Sequence, residues 1–389
     1  MTEQTNTPEL RFPGFNGEWR FNKLGDLTTK IGSGKTPKGG SQNYLNAGIP
    51  FLRSQNIQNG KLNLDDLVYI DSKTDETMKN SKSYFGDILL NITGASIGRS
   101  AINSIDNTHI NLNQHVCIIR LKKQFSYKFL GNFLLSPRGQ KKIFKAQSGG
   151  SREGLNFKEI ANINLYIPDN FNEQEKLGKF FSKLDRQIEL EEKKLELLEQ
   201  QKKGYMQKIF SQELRFKNED GIQFEEWSFQ SLSKIFDLIT DYVANGSFAD
   251  IRKNVSYSEK EDYAYVIRLQ DASSNWKGPF VYTNKHAYEF LSKTKLFSKD
   301  IIMSNVGTVG KTFRVPNLDK PMTLGPNSLL LRSSNNDMDF LYFYLNSSNF
   351  KKTLLKIITP GVQAKVNKTD LKTLILSIPS KEEQKKIGN

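Results

Sequence analysis

Two stretches of this chain, about 210 residues apart, carry the same signals in the same order. RFPGFNGEWRFNKL from Arg11 is echoed by RFKNEDGIQFEEWSFQSL from Arg215. FLRSQNI (51–57) aligns with VIRLQDA (266–272), which sets Arg53 on Arg268 and Gln55 on Gln270. GDILLNITGASIGRSAI aligns with KDIIMSNVGTVGKTFRV, and FLGNFLLSPRGQKKIFK with FLYFYLNSSNFKKTLLK. INLYIPDNFNEQEKLGK (163–179) returns as LILSIPSKEEQKKIGN (374–389). A chain of 389 residues exceeds what one hydrophobic core usually serves. The repeat says how it divides: one module, used twice.

Hydrophobic residues make up 37% and aromatics 11%, enough to fill a core in each copy. No apolar run approaches the roughly 20 residues that span a bilayer, and MTEQTNTPELRF lacks the apolar stretch of a signal peptide. A cytoplasmic protein with no membrane partner is expected. Cys117, the single cysteine, has no disulfide partner and no metal-ligand spacing around it, and is expected in the core at the end of a strand.

The net charge of +14 is unevenly spread. Residues 1–170 hold 22 basic and 14 acidic side chains (+8), residues 221–380 hold 20 and 15 (+5), and residues 171–220 hold 11 of each. The last nine residues add +1. The excess therefore sits on the two modules, as a polyanion partner requires.

Two motifs suggest catalysis or nucleotide binding, and neither holds. Gly94-Ala95-Ser96-Ile97-Gly98 spells G-x-S-x-G after an apolar run, the setting of a nucleophilic serine. The second copy has Gly307-Thr308-Val309-Gly310, in which the glycines persist and the serine does not. Only three histidines are present (His109, His115, His286), and the triad order of that fold gives them no supporting pattern. A glycine turn between two strands accounts for both copies, with Arg99 and Lys311 following it as candidate phosphate contacts. IGSGKTP (31–37) resembles the end of a P-loop, but Thr29 stands where the first glycine belongs and Pro37 is poorly suited to the helix that should follow.

Between the modules, Glu173 to Gln212 contains no proline. Leu177, Phe181, Leu184, Ile188, Leu195, Leu198, Tyr205 and Ile209 follow alternating four-and-three spacing, interrupted at Glu191 and Lys202. A 3.5-residue repeat predicts a long helix packed lengthwise on another helix. Forty residues at 1.5 Å make a rod of about 60 Å. Its first turn recurs at Glu383-Gln384-Lys385-Lys386-Ile387, so each module ends in such a helix and the two are suited to pair antiparallel.

Within the modules, strands are expected at 49–53, 68–70, 88–92 and 115–121, followed by a helix over 127–146. The second copy repeats them at 263–269, 300–304 and 328–332, with a helix over 340–357. The expected fold is α/β: two tandem mixed α/β domains, related by an internal pseudo-twofold repeat and separated by long coiled-coil-type helices. The boundaries are 1–170, 171–213 (long helix), 214–380, and 381–389 (start of the second long helix).

The loops between strands are rich in side chains that contact phosphates or base edges. Arginine pairs with guanine, and asparagine or glutamine with adenine. The candidate DNA-binding residues of the first module are Ser33, Lys35, Thr36, Lys38, Arg53, Gln55, Asn56, Ser96, Arg99 and Arg152. Those of the second are Arg268, Gln270, Lys311, Arg314, Gln363 and Lys365.

The opening PELRFPGFNGEW, the GDILL turn with its two glycines, and the IP....EQ..IG start of a long helix, all in a duplicated chain, resemble the specificity (S) subunit of a Type I restriction-modification system. The resemblance covers nearly the whole chain. It implies two target recognition domains, each reading half of a split, asymmetric sequence in double-stranded DNA. It also implies long helices that dock two adenine-N6 methyltransferase (M) subunits, to which restriction and translocase (R) subunits are added. The helix residues from Leu177 to Ile209 named above are then the packing and docking seam. The subunit itself is non-catalytic in that family, so S-adenosylmethionine, ATP and magnesium belong to the partners and no metal to this chain. The residues agree: no N/D-P-P-Y/F methyltransferase signature, P-loop or metal-ligand cluster is present. One departure is that the second helix stops at Asn389, where the first copy runs about 35 residues further; a truncated or naturally early end is expected. The competing reading is a helical scaffold for partner proteins, its basic charge incidental.

Overall fold

The computed structural model describes residues 8–106, 108–147, 154–358 and 364–389. The chain divides into two compact units, Met1–Lys194 and Leu195–Asn389. The division falls inside the long helix, so each unit includes part of it.

In the first unit, one antiparallel sheet has the strand order Thr28–Ser33, Val116–Leu121, Ile88–Asn91, Ser100–Ile102. The second has the order Val68–Ile70, Ile49–Leu52, Ile110–Leu112, Lys82–Ser83, with its central pair parallel. The apolar run ILLN lacks the alternation of a half-buried strand because both of its faces are covered. Ile88 and Leu90, with Cys117 and Ile119, pack on Leu130, Leu134 and Ile143 of the following helices. Leu89, with Val116 and Ile118, packs on Leu52, Ile110 and Leu112 of the other sheet. Cys117 is fully buried, and burial pushes its thiol up to about 12.

The second unit repeats this strand for strand. Leu238–Asp241, Ser328–Arg332, Ile301–Ser304 and Thr312–Arg314 form one sheet, and Val281–Thr283, Ala264–Ile267, Met322–Leu324 and Lys295–Leu296 the other. Ile301 and Met303 face the helices, and Ile302 faces the second sheet.

Each helix expected after the sheets is two helices. Tyr127–Leu135 stops at Ser136, whose Oγ accepts from Gly139 N at 3.1 Å to open Pro137–Lys145. Met338–Asn346 stops at Ser347, whose Oγ accepts from Phe350 N at 3.2 Å to open Ser348–Leu355. A serine that caps the following turn, with proline at the first helical position in the first copy, ends one helix and starts the next.

The duplicated EQ pair explains itself through burial. Glu173, 1% exposed, accepts from Arg11 Nε and Nη2 at 2.7 Å each and from Trp19 Nε1 at 3.3 Å. Glu383, fully buried, accepts from Arg215 Nη2 at 2.8 Å and Trp227 Nε1 at 3.2 Å. Gln174 and Gln384 each accept a backbone N–H, from Ser126 and Asp337, and donate to Pro168 and Pro379. A buried carboxylate persists only when paired. These pairs clasp the RF…EW segment of each copy to the start of its helix.

The long helix is Phe171–Phe210. Its ends follow the predicted seam: Leu177 packs on the first core and Ile209 on the second unit's core. The rest of the seam differs from the sequence-based expectation of a covering helix. Phe181, Leu184, Ile188, Leu195, Leu198 and Tyr205 are all exposed, Ile188 to 57%. Among the described residues the second copy's helix is Lys381–Gly388, eight residues, and it packs beside Met338–Asn346.

Candidate nucleic-acid interface

The predicted loops are brought together by backbone hydrogen bonds at one end of the sheets. In the first unit, Lys35 N donates to Leu112 O (2.8 Å), Asn113 N to Leu52 O (3.0 Å), and Ile92 N to His115 O (3.0 Å). Asn91, buried in its strand, donates through Nδ2 to Ser54 O at 2.9 Å and Ser96 Oγ at 3.1 Å. Loops 33–38, 53–56 and 92–99 therefore share one surface. In the second, Gly325 N donates to Ile267 O (2.7 Å), Val366 N to Asn305 O (3.0 Å), and Gly307 N to Ala364 O (3.0 Å). Lys311 Nζ lies 3.5 Å from Ser273 Oγ. Residues 268–273, 305–311 and 364–366 form the matching surface.

The glycine turns are the expected strand connections. They join Ile88–Asn91 to Ser100–Ile102 and Ile301–Ser304 to Thr312–Arg314, antiparallel in both copies. Gly98 (φ 87°) and Gly310 (φ 83°) have left-handed backbones, and a Cβ would stand 3.1 Å from Gln140 Oε1 in the first and 2.3 Å from Leu354 Cδ2 in the second. Glycine is required there by conformation and by packing. Ser96 bonds to Asn91, whereas His115 Nδ1 is 2.6 Å from Thr93 Oγ1 and His109 Nε2 is 2.8 Å from Asp75 Oδ1. The IGSGKTP stretch leaves its strand for a loop and a single 3-10 turn, Gly40–Asn43, instead of the α-helix of a P-loop.

The candidate residues fall into three groups. Lys35, Lys38, Arg99, Lys311 and Lys365 are exposed and, among the described residues, form no ion pair; Ser33, Thr36 and Ser96 are half-buried beside them. Arg53, Gln55, Arg268 and Gln270 lie on the same surfaces but are already engaged. Arg53 Nη2 donates to Asp66 O at 2.8 Å and Oδ2 at 3.3 Å, and Gln55 Nε2 donates to the same Oδ2. Arg268 meets Asp271 through two bonds, Nε to Oδ2 at 3.0 Å and Nη2 to Oδ1 at 2.7 Å, which raises its pKa above the ordinary guanidinium value. The last group leaves the interface. Asn56 is fully buried, its Oδ1 accepting from Arg53 N and its Nδ2 donating to Asn63 O, so it shapes the turn and offers nothing to a ligand. Arg314 pairs with Ile301, at the other end of the hairpin from the turn, and its guanidinium is ion-paired with Asp339. Arg152 and Gln363 lie outside the described residues.

Asp66 was not among the sequence candidates, being 13 residues from Arg53 in a loop with no motif. Asp271 was legible in principle, because a carboxylate three residues after Arg268 matches the spacing of a turn-capping acid.

The family described as "Type I restriction modification DNA specificity domain" matches residues 16–200 and 225–389, once per repeat. The chain belongs to this family. Curated type I restriction enzyme specificity subunits are similar to it. The putative MjaX subunit of Methanocaldococcus jannaschii is 25% identical over 386 residues, covering 95% of this chain and 85% of that protein. The EcoBI subunit of Escherichia coli is 32% identical over 124 residues, 31% of this chain and 25% of that one. The fold is shared with the solved S subunit from M. genitalium (TM-score 0.55, 14% identity, 98% of this chain and 90% of that chain). These domains are DNA target recognition domains of a type I restriction-modification specificity subunit, a class that works with DNA and with other subunits.

Proposed function

We propose that this chain is the non-catalytic subunit that gives a cytoplasmic type I complex its DNA specificity, each module reading one half of a split, asymmetric duplex target. The observation that carries this is a repeated framework with unlike tips. The sheet order, the glycine turn, the Glu-Gln clasp and the Arg120–Asp87 and Arg332–Asp300 pairs recur copy for copy. At the loop surface Arg99 faces Lys311 in the alignment and Ser54 faces Leu269, and in the buried turns that shape it Asn91 faces Ser304 and Asn56 faces Asp271. Two readers of one build with different side chains at the tip suit two different half-sequences.

Unpaired cations at Lys35, Lys38, Arg99, Lys311 and Lys365 supply the sequence-independent attraction to phosphate, and the polar side chains among them supply base contacts. The exposed seam of the long helix, Phe181 to Ile188 and Leu195 to Tyr205, is the docking surface for two adenine-N6 methyltransferase subunits, with restriction subunits joining that assembly. S-adenosylmethionine, ATP and magnesium are bound by those partners. The test is methylation-site mapping of genomic DNA from cells that carry this chain and its methyltransferase subunit. Two constant half-sites separated by a fixed, unread spacer are expected, and a single contiguous target contradicts the reading.

A further inference from the structure

Gln55 and Gln270 occupy the same position in the two modules, each two residues after the arginine that follows a strand, and both are exposed. Their amides are tethered by opposite ends. Gln55 donates through Nε2 to Asp66 Oδ2. An ionised carboxylate accepts only, so it draws the NH2 inward and turns Oε1 outward. The Gln270 amide instead lies against Arg268 Nη1 and Nη2, 2.9 Å from each, and two guanidinium donors can be met there only by its carbonyl oxygen, Oε1. A guanidinium donates only, so it draws the oxygen inward and turns the NH2 outward.

The inversion has a cause in the turn itself. Three residues after the arginine, the second module has Asp271, 2% exposed, whose two oxygens hold Arg268 while Pro279 O accepts from Nη2 at 3.3 Å. The arginine is thereby fixed in the turn, and Nη1, which meets no other acceptor among the described residues, faces the glutamine. The first module has the neutral Asn56 at that place. Its carboxylate comes from Asp66 in a separate loop, where it reaches Arg53 and Gln55 together. The nearest charge to the glutamine is negative in one module and positive in the other.

We infer that these two glutamines set opposite hydrogen-bond preferences in the two half-sites. Gln55 presents an acceptor and selects a base whose groove edge offers an amino group, adenine N6 or cytosine N4. Gln270 presents donors and selects an edge of acceptors, guanine N7 and O6 or thymine O4. This deepens the split-target reading and rests on it.

The experiment uses the full chain assembled with its methyltransferase subunits and measures methylation of a duplex library randomised at each position of the wild-type target. Four variants are compared: Gln55→Glu and Gln270→Glu, which keep only acceptors, and Gln55→Lys and Gln270→Lys, which keep only donors. A crossed pattern is expected. Gln55→Lys and Gln270→Glu lower methylation of the wild-type base at one position of their own half-site by roughly 10- to 100-fold, or change the base chosen, whereas Gln55→Glu and Gln270→Lys, each repelled by its like-charged neighbour, lower methylation overall but keep the same preferred base at that position. The half-site of the unaltered module serves as the folding control in each case. Glutamate and lysine variants that behave alike in both modules, or four variants that leave every base preference unchanged, overturn the inference. A variant that alters both half-sites at once contradicts the split-target reading itself.

Discussion

Asp87 and Asp300 show how much a residue's meaning depends on what folds around it. In sequence each belongs to the GD or KD step before an apolar strand. In the structure both are nearly buried, each receives the fork of an arginine from the neighbouring strand, and each accepts a backbone N–H three residues back. Arg120 and Arg332 also lie over the rings of Tyr84 and Phe297, at 4.7 and 4.5 Å. These charges brace the fold. Arg99 and Lys311, one residue beyond the glycine turn, are the opposite case. Replacing either by Ala is expected to weaken duplex binding for all sequences and to reduce the slope of log affinity against log salt by about 0.9, the share of a single neutralised phosphate. A binding titration over a salt series measures it, and an unchanged slope in both variants removes these turns from the DNA surface. The glycines of the same turn separate conformation from packing. Gly307 has φ 76° with nothing within 4 Å of a Cβ, whereas a Cβ at Gly310 meets the buried Leu354. Gly307→Ala should cost about 1 kcal/mol from the left-handed backbone alone, and Gly310→Ala about 2–4 kcal/mol from strain and overpacking together. Denaturant midpoints at constant m check the order. Equal losses would mean that the helix yields.

Among the elements, those with a strong local period were legible and those that depend on a distant partner were not. The long helix was expected over 173–212 and spans Phe171–Phe210. The central strands were read from apolar runs, within about a residue or two of their ends. The break at Ser136 was missed because the apolar pattern continues through it, although Ser-Pro is a cap followed by a first-turn proline. The strand Thr28–Ser33, with its polar TTKIGS sequence, was missed because its pairing with Val116–Leu121 lies some ninety residues away. The helix seam carries its own prediction. If this helix sets the spacing of the half-sites, four residues inserted near Glu196 add about 6 Å and slightly more than one turn. At about 3.4 Å per base pair, the unread spacer should lengthen by one to two base pairs with both half-sites unchanged. A two-residue insertion rotates every residue beyond it by roughly half a turn and should abolish methylation. Methylation-site mapping of both variants measures this, and a spacer of constant length refutes the role.

For the whole molecule, the duplication was visible in the sequence because apolar runs and glycines recur in order, and the same duplication appears as identical strand orders in the two units. What the sequence did not disclose is which polar residues of each loop turn outward. Asn56 and Gln55 are neighbours of similar chemistry; one is sealed inside a turn and the other stands on the surface beside a carboxylate from another loop. That distinction arises only when the loop tips are brought together by the sheets. If each module is a separate reader, the two should specify their half-sites independently. The most direct measurement is methylation-site mapping after residues 1–165 are exchanged for the matching domain of a related specificity subunit. One half-site should change to that of the donor while the other keeps every base. A change in both half-sites, or in neither, would contradict that independence.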